Sequence, residues 1–144
     1  MNTTRTINLK SRPKGTPKLS DFDFTTSEVK ELQKGEVLLR TTYVSVDPYL
    51  RGRMSDAKSY IEPFELNKPI VSGIIAEVID SKSDNFSVGD FVSGVLEWKE
   101  TQVAKEDSLK KIDPSSVNHY LSSFTVFLIV LPVCSSYFFE KTKI

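Results

Sequence analysis

The chain has 144 residues, which is room for one domain. Hydrophobic residues make up 39% and charged residues 26%, the balance of an ordinary globular protein, so a disordered or fibrous chain is excluded. Lys and Arg number 19 and so do Asp and Glu, which removes any electrostatic reason to expect nucleic acid or an anionic membrane as partner.

In chain order, the N-terminus MNTTRTINLKSRPKG offers no apolar stretch long enough for a secretory signal. Residues 6–9 read as a first strand, ended by the loop Ser11-Arg12-Pro13-Lys14-Gly15. Residues 20–26 (SDFDFTT) alternate Phe22 and Phe24 with polar neighbours, the period-two signature of a half-buried strand. Residues 27–33 could form a short helical stretch. Lys34-Gly35 then turns the chain into the longest strand candidate, residues 36–46 (EVLLRTTYVSV), rich in β-branched side chains that fit a pleated surface.

Residues 70–80 (IVSGIIAEVID) form the next strand, and Gly73 in its interior predicts a bulge or a close backbone approach. Val88-Gly89-Asp90 is a tight turn feeding another alternating run, residues 91–98 (FVSGVLEW). Strands at this spacing with glycine-containing turns predict a compact, mainly β barrel or roll with few short helices. Asp113-Pro114 sets a capping carboxylate before a proline, so residues 113–121 could open a helix.

The end of the chain departs from this pattern. Residues 120–139 hold no charged side chain, and their centre, FTVFLIVLPV, is strongly apolar. A spanning helix needs about 20 mostly apolar residues, so the length just qualifies, but serines, Pro132 and β-branched residues dilute it. A membrane span, a buried strand and a mis-specified tail all stay open. The stretch shows no sustained period of two or 3.6, which argues against an ordered fit to the β region. The lone cysteine, Cys134, cannot make an internal disulfide and suits a reducing compartment. The expected location is cytoplasmic.

Metal chemistry finds little support, because zinc sites draw on clustered ligands and the chain has one His and one Cys, His119 and Cys134. No G-x-S-x-G elbow, G-x-G-x-x-G loop or Walker-type loop occurs. The segment that carries chemistry is VSVDPYLRGRM, residues 44–54. Asp47-Pro48 initiates a turn in which the aspartate can accept bonds from backbone amides just beyond it. Tyr49 would then project from a constrained strand end, where a phenol can stack on a flat ring and donate to a carbonyl oxygen. The plainer reading makes Asp47 a helix cap, Tyr49 a core residue and Arg51 and Arg53 solvated charges.

This segment resembles the D-P-Y-[LM]-R signature of the zinc-free double-bond reductases of the medium-chain dehydrogenase/reductase superfamily. That branch includes prostaglandin reductases, alkenal reductases and bacterial NADP-dependent oxidoreductases. Ser20-Asp21-Phe22-Asp23-Phe24, Gly35-Glu36-Val37-Leu38, Pro69-Ile70, Val88-Gly89-Asp90, the stretch 94–98 with Glu100, and Lys111-Ile112-Asp113 follow in the family's order and spacing. Together they cover about residues 6–121. The resemblance implies a GroES-like β-barrel or roll that is one part of a larger enzyme, with the nucleotide-binding Rossmann domain lying beyond it. It implies a zinc-independent oxidoreductase in which NADPH reduces the C=C bond of an α,β-unsaturated ketone or aldehyde. Zinc-dependent relatives carry ligands where this chain has Ser45-Val46-Asp47 and Ser72-Gly73.

No catalytic residue follows from the resemblance. Tyr49 matches the family's substrate-side tyrosine, and Tyr60, in SYIEPF, is a second substrate-binding candidate. Asp47, Pro48 and Met54 would lie beside the cofactor. Some plant relatives place a tyrosine at the position of Gly73, so that contact is missing here. The expected partner is a small enone or enal, with no nucleic acid, and the full-length form could be a homodimer. The match fades at about residue 122, which divides the chain into a domain of residues 1–121 and an apolar tail of residues 122–144. On this division the 144-residue chain alone is expected to be inactive. The alternatives are a non-enzymatic β-domain and a membrane-tethered fragment.

Overall fold

The computed structural model describes residues 3–56, 61–113, 115 and 127–130. A first sheet joins β1 (Thr3–Leu9), β2 (Phe22–Glu28) and the two-residue β4 (Lys68–Pro69) in the order β2-β1-β4. β1 begins three residues before the expected strand, and Ile7 and Leu9 anchor it in the core. β2 pairs with β1 in the register Ile7↔Phe24 and Leu9↔Phe22. Its alternation does not become alternating burial: Phe22 is buried, but Phe24 is 46% exposed and the rest of the strand faces solvent. β2 is an edge strand paired to β1 alone, and a period of two buries one face only where a second layer covers it. The helical stretch expected over residues 27–33 is absent. β2 runs on to Glu28, and the following segment is tied down by Glu36, whose carboxylate accepts the Gln33 N–H at 2.8 Å.

The second sheet contains β3 (Glu36–Val46), β5 (Val71–Ser81), β6 (Phe91–Glu97), β7 (Thr101–Lys105) and β8 (Lys110–Ile112), in the order β7-β3-β5-β6-β8. A further strand, β9 (Phe127–Val130), pairs with β3. Glycines serve two of the turns: Gly35 (φ 79°) leads into β3 and Gly89 (φ 91°) precedes β6, both in the left-handed region that costs glycine nothing.

The predicted barrel or roll is not what forms. Closure would require the outer strands to pair with each other. Instead, among the described residues, β7 pairs as a strand only with β3 and β8 only with β6, at opposite edges, and the smaller sheet pairs with neither. The chain reaches β8 from β7 through a 3-10 turn, Glu106–Ser108, and β8 then covers just three residues of β6. The architecture is mainly β with few short helices, in two open sheets.

A bulge in β3 decides which side chains reach the site. Thr41 pairs with Ala76 and Tyr43 with Ile75, so Thr42 is an extra residue. Before it, Val37, Leu39 and Thr41 face the core; after it, Val44 does, and Tyr43 and Ser45 turn to the half-exposed face. Gly73 marks no bulge. It pairs in register with Val95 of β6, and a Cβ there would lie 3.5 Å from the Ser45 Cβ, an ordinary contact.

The two sheets are stitched by backbone bonds around Trp98: Ile7 N–H donates to its carbonyl (2.9 Å), and its own N–H donates to Ile70 O (2.8 Å). The Trp98 indole N–H donates to Ser72 Oγ at 2.7 Å, both groups being buried. Leu9, Leu39, Val44, Leu50, Ile70, Val78 and Val92 fill the space between.

Part of the tail is therefore ordered against the β region, contrary to expectation. β9 runs antiparallel to β3 from Tyr43↔Val130 to Val46↔Phe127 and extends the edge that β7 occupies lower down. A four-residue apolar, β-branched run is enough for such a pairing, whereas a period needs a longer window to be seen. The Asp113 carboxylate takes both the N–H (2.9 Å) and the Oγ (2.7 Å) of Ser115, a local turn cap. The remainder of the helix expected to 121, with His119 and Cys134, lies outside the described residues. Among the described residues no helix is long and apolar enough to cross a membrane.

Candidate functional site

The segment singled out by sequence folds as the end of β3 and a six-residue helix, α1 (Pro48–Arg53), with Asp47 as N-cap and Met54 as C-cap. Proline at the first helical position needs no amide partner and has its φ preset for the helix. Residues four apart share a helix face, and here that rule sorts the side chains. Leu50 and Met54 point into the core, 1% and 6% exposed. Tyr49 and Arg53 form the other pair of this spacing, and Tyr49 is 42% exposed.

Tyr49 is thus not a core residue. Partial burial pushes its phenol above the ordinary tyrosine value of 10.0, the Asp47 carboxylate pushes the same way, and Arg53 opposes both. The phenol is held protonated at neutral pH and can donate a hydrogen bond. Asp47 caps the helix only through its backbone carbonyl, which accepts the Leu50 N–H at 3.0 Å. Its carboxylate makes no cap bond and instead accepts the Ser45 hydroxyl at 2.6 Å, which differs from the amide-binding role expected of it. Pro48 is exposed beside Tyr49, while Met54 has its side chain in the core and its carbonyl bonded to the Arg12 guanidinium at 3.3 Å. Tyr60 lies outside the described residues.

Arg51 and Arg53 are not simply solvated. Arg51 forks onto two carbonyls of the 11–18 loop, Pro13 O at 2.9 Å and Gly15 O at 2.9 and 3.1 Å. Arg53 donates to Glu62 O at 3.0 Å and stacks on Phe64, 4.0 Å from the ring centre. The Ser45 and Ser72-Gly73 stretches, far apart in sequence, meet across β3 and β5 next to this helix. Among the described residues no group of three or more His, Cys, Asp or Glu could hold a metal ion.

The six-residue helix has no glycine-rich approach, and proline at its first position removes one of the amides a phosphate would use. The exposed phenol of Tyr49 offers a flat ring and a hydrogen-bond donor. The described residues do form a cavity of about 480 Å³ lined by Glu28, Lys30, Glu31, Leu38, Asp80 and Lys82. It sits at the opposite end of β3, far along the strand from α1, where Lys82 Nζ donates to Leu32 O at 2.9 Å and Lys30 pairs with Glu36.

The family described as the N-terminal domain of oxidoreductase matches residues 5–112. This chain belongs to it. The match runs from within β1 to the end of β8 and includes α1, with β9 beyond its end. The chain is 51% identical over 109 residues to YfmJ of Bacillus subtilis (strain 168), a proposed NADP-dependent oxidoreductase, covering 76% of this chain and 32% of that protein. It is 34% identical over 129 residues to the NADPH-dependent curcumin reductase of Escherichia coli (strain K12), covering 90% and 36%. Its fold is similar to the crystal structure of CurA in complex with NADPH from Vibrio vulnificus, with a TM-score of 0.72 and 37% identity over 81% of this chain and 35% of that one. Within the family the chain falls in the zinc-independent, NADP(H)-dependent double-bond reductase branch of the medium-chain dehydrogenase/reductase superfamily. It spans about one third of the length of these relatives.

Proposed function

We propose that this chain is the substrate-side part of an NADPH-dependent reductase acting on the C=C bond of α,β-unsaturated ketones and aldehydes. The observation that carries the reading is Tyr49: a protonated, half-exposed phenol on a turn locked at the end of β3. Hydride addition to the β-carbon of an enone builds negative charge on its carbonyl oxygen, and a fixed donor aimed at that oxygen lowers the barrier. Bound NADPH supplies the hydride. In this reading Tyr49 orients the carbonyl and stabilises the developing charge, while Asp47 and Pro48 shape the surface beside the nicotinamide. Met54 acts from beneath, by seating α1.

The missing side chain at Gly73 leaves space beside Ser45 that a bulkier substrate could fill. The activity proposed is that of a protein of the relatives' length. The test is a chimera in which residues 1–112 replace the matching stretch of the Escherichia coli curcumin reductase. Enone-dependent NADPH oxidation that survives prolonged chelation supports the proposal. Absence of enone reduction in a folded chimera, or activity restored only by zinc, contradicts it.

A further inference from the structure

The geometry points to Arg51 and Arg53 as positioning residues that hold the Tyr49 turn from two sides, a role that deepens the reading of Tyr49 as the substrate-side donor. A helix of six residues cannot hold itself, since nucleation costs more than one turn returns. Leu50 and Met54 fix its underside in the core, but two contacts four residues apart define a line about which the helix could still roll. What prevents the roll lies on its flanks. Arg51 and Arg53 are two positions apart, roughly 200° around a helix, so their side chains leave in nearly opposite directions.

Arg51 reaches the 11–18 loop, where Gly15 takes a positive φ of 78° and its carbonyl, with that of Pro13, accepts the planar fork. Arg53 reaches the 62–64 segment by three links: its Nε to Glu62 O, its guanidinium over the Phe64 ring, and its own carbonyl to the Phe64 N–H at 2.7 Å. Residues 13–15 and 62–64 belong to no strand, so these bonds tie two irregular segments to the helix that lies between them. Tyr49 sits one turn before Arg53 on the same face, and any roll of α1 would move its phenol directly.

A fork onto two carbonyls cannot be reproduced by a point charge, and a stacked guanidinium cannot be replaced by a neutral amide. The experiment is NMR on the whole chain, comparing Arg51→Lys, Arg53→Gln and the double variant. The Tyr49 ring signals are assigned by their loss in Tyr49→Phe. Both single variants are expected to shift those signals and to speed exchange of the Leu50 and Met54 amides by about tenfold, with a larger effect in the double variant. The Trp98 indole N–H, bonded to Ser72 in the core, stays unmoved. Unchanged Tyr49 signals in all three variants would overturn the inference. So would a Trp98 signal that shifts in step with Tyr49, because that would mean general loosening rather than local positioning. Neither outcome depends on enone reduction, so the inference and the proposed function fail separately.

Discussion

The two ends of the β3–β5 pair make an instructive contrast. At the end near Leu38 and Asp80 the chain offers volume: a charged cavity walled by Glu28, Glu31 and Lys82. At the end near Val46 and Val71 it offers a helix whose Tyr49 stands out toward solvent. In the cavity the Lys82 ammonium is already bonded to the Leu32 carbonyl. The α1 end offers an exposed phenol on a turn fixed in the core by Leu50 and Met54.

The contrast can be broken most severely at Leu50. That side chain is 1% exposed and seats α1 in the core. Leu50→Ala should lower stability by about 2–5 kcal/mol, read from urea denaturation, and free the Tyr49 turn. A loss near zero would mean that α1 is not seated through its apolar face. A subtler effect lies in the phenol itself. Because its folded pKa is raised above 10.0, the stability that the neutral phenol contributes is complete below pH 10.0 and is lost as pH rises through the folded value. Ultraviolet difference titration of the chain against Tyr49→Phe should show one phenol ionising later than a free tyrosine, and a normal or early titration would remove the protonated donor. The smallest effect belongs to the cavity, where the exposed Glu31→Gln should change stability by less than about 0.5 kcal/mol and leave enone reduction by the chimera unchanged.

Much of the scaffold was legible from residue pattern. The β-branched run of residues 36–46 became β3 with the same bounds, and the turns at Gly35 and Gly89 fell where glycine needs a positive φ. What escaped was whatever depends on a second layer or a distant partner. SDFDFTT alternates, yet lies on an uncovered edge, so its period says nothing about burial. The bulge at Thr42 carries no glycine to announce it, although it is what turns Tyr43 and Ser45 away from the core. Open sheets and a closed barrel draw on the same strands and turns; only the pairing of the outermost strands separates them, and that is a long-range property.

The site was partly legible for the same reasons. The turn DPYLRGRM has a local cause, since Asp47-Pro48 initiates it. Its fine wiring could not. Asp47 bonds to Ser45 rather than to the amides ahead of it, and the acceptors for Arg51 lie more than thirty residues earlier in the chain. The β9 pairing escaped because four residues are too few to show a period.

The central claim is that the α1 end, through Tyr49, is where substrate is handled. Its most direct test is the rate of enone-dependent NADPH oxidation by the chimera carrying Tyr49→Phe, set beside the same chimera unaltered. Loss of one fixed donor should cost about 1–3 kcal/mol in kcat/KM, a fall of roughly 5-fold to 150-fold, with thermal stability little changed. Unchanged kinetics accompanied by a lower melting temperature would show Tyr49 to be a structural residue and would contradict the account.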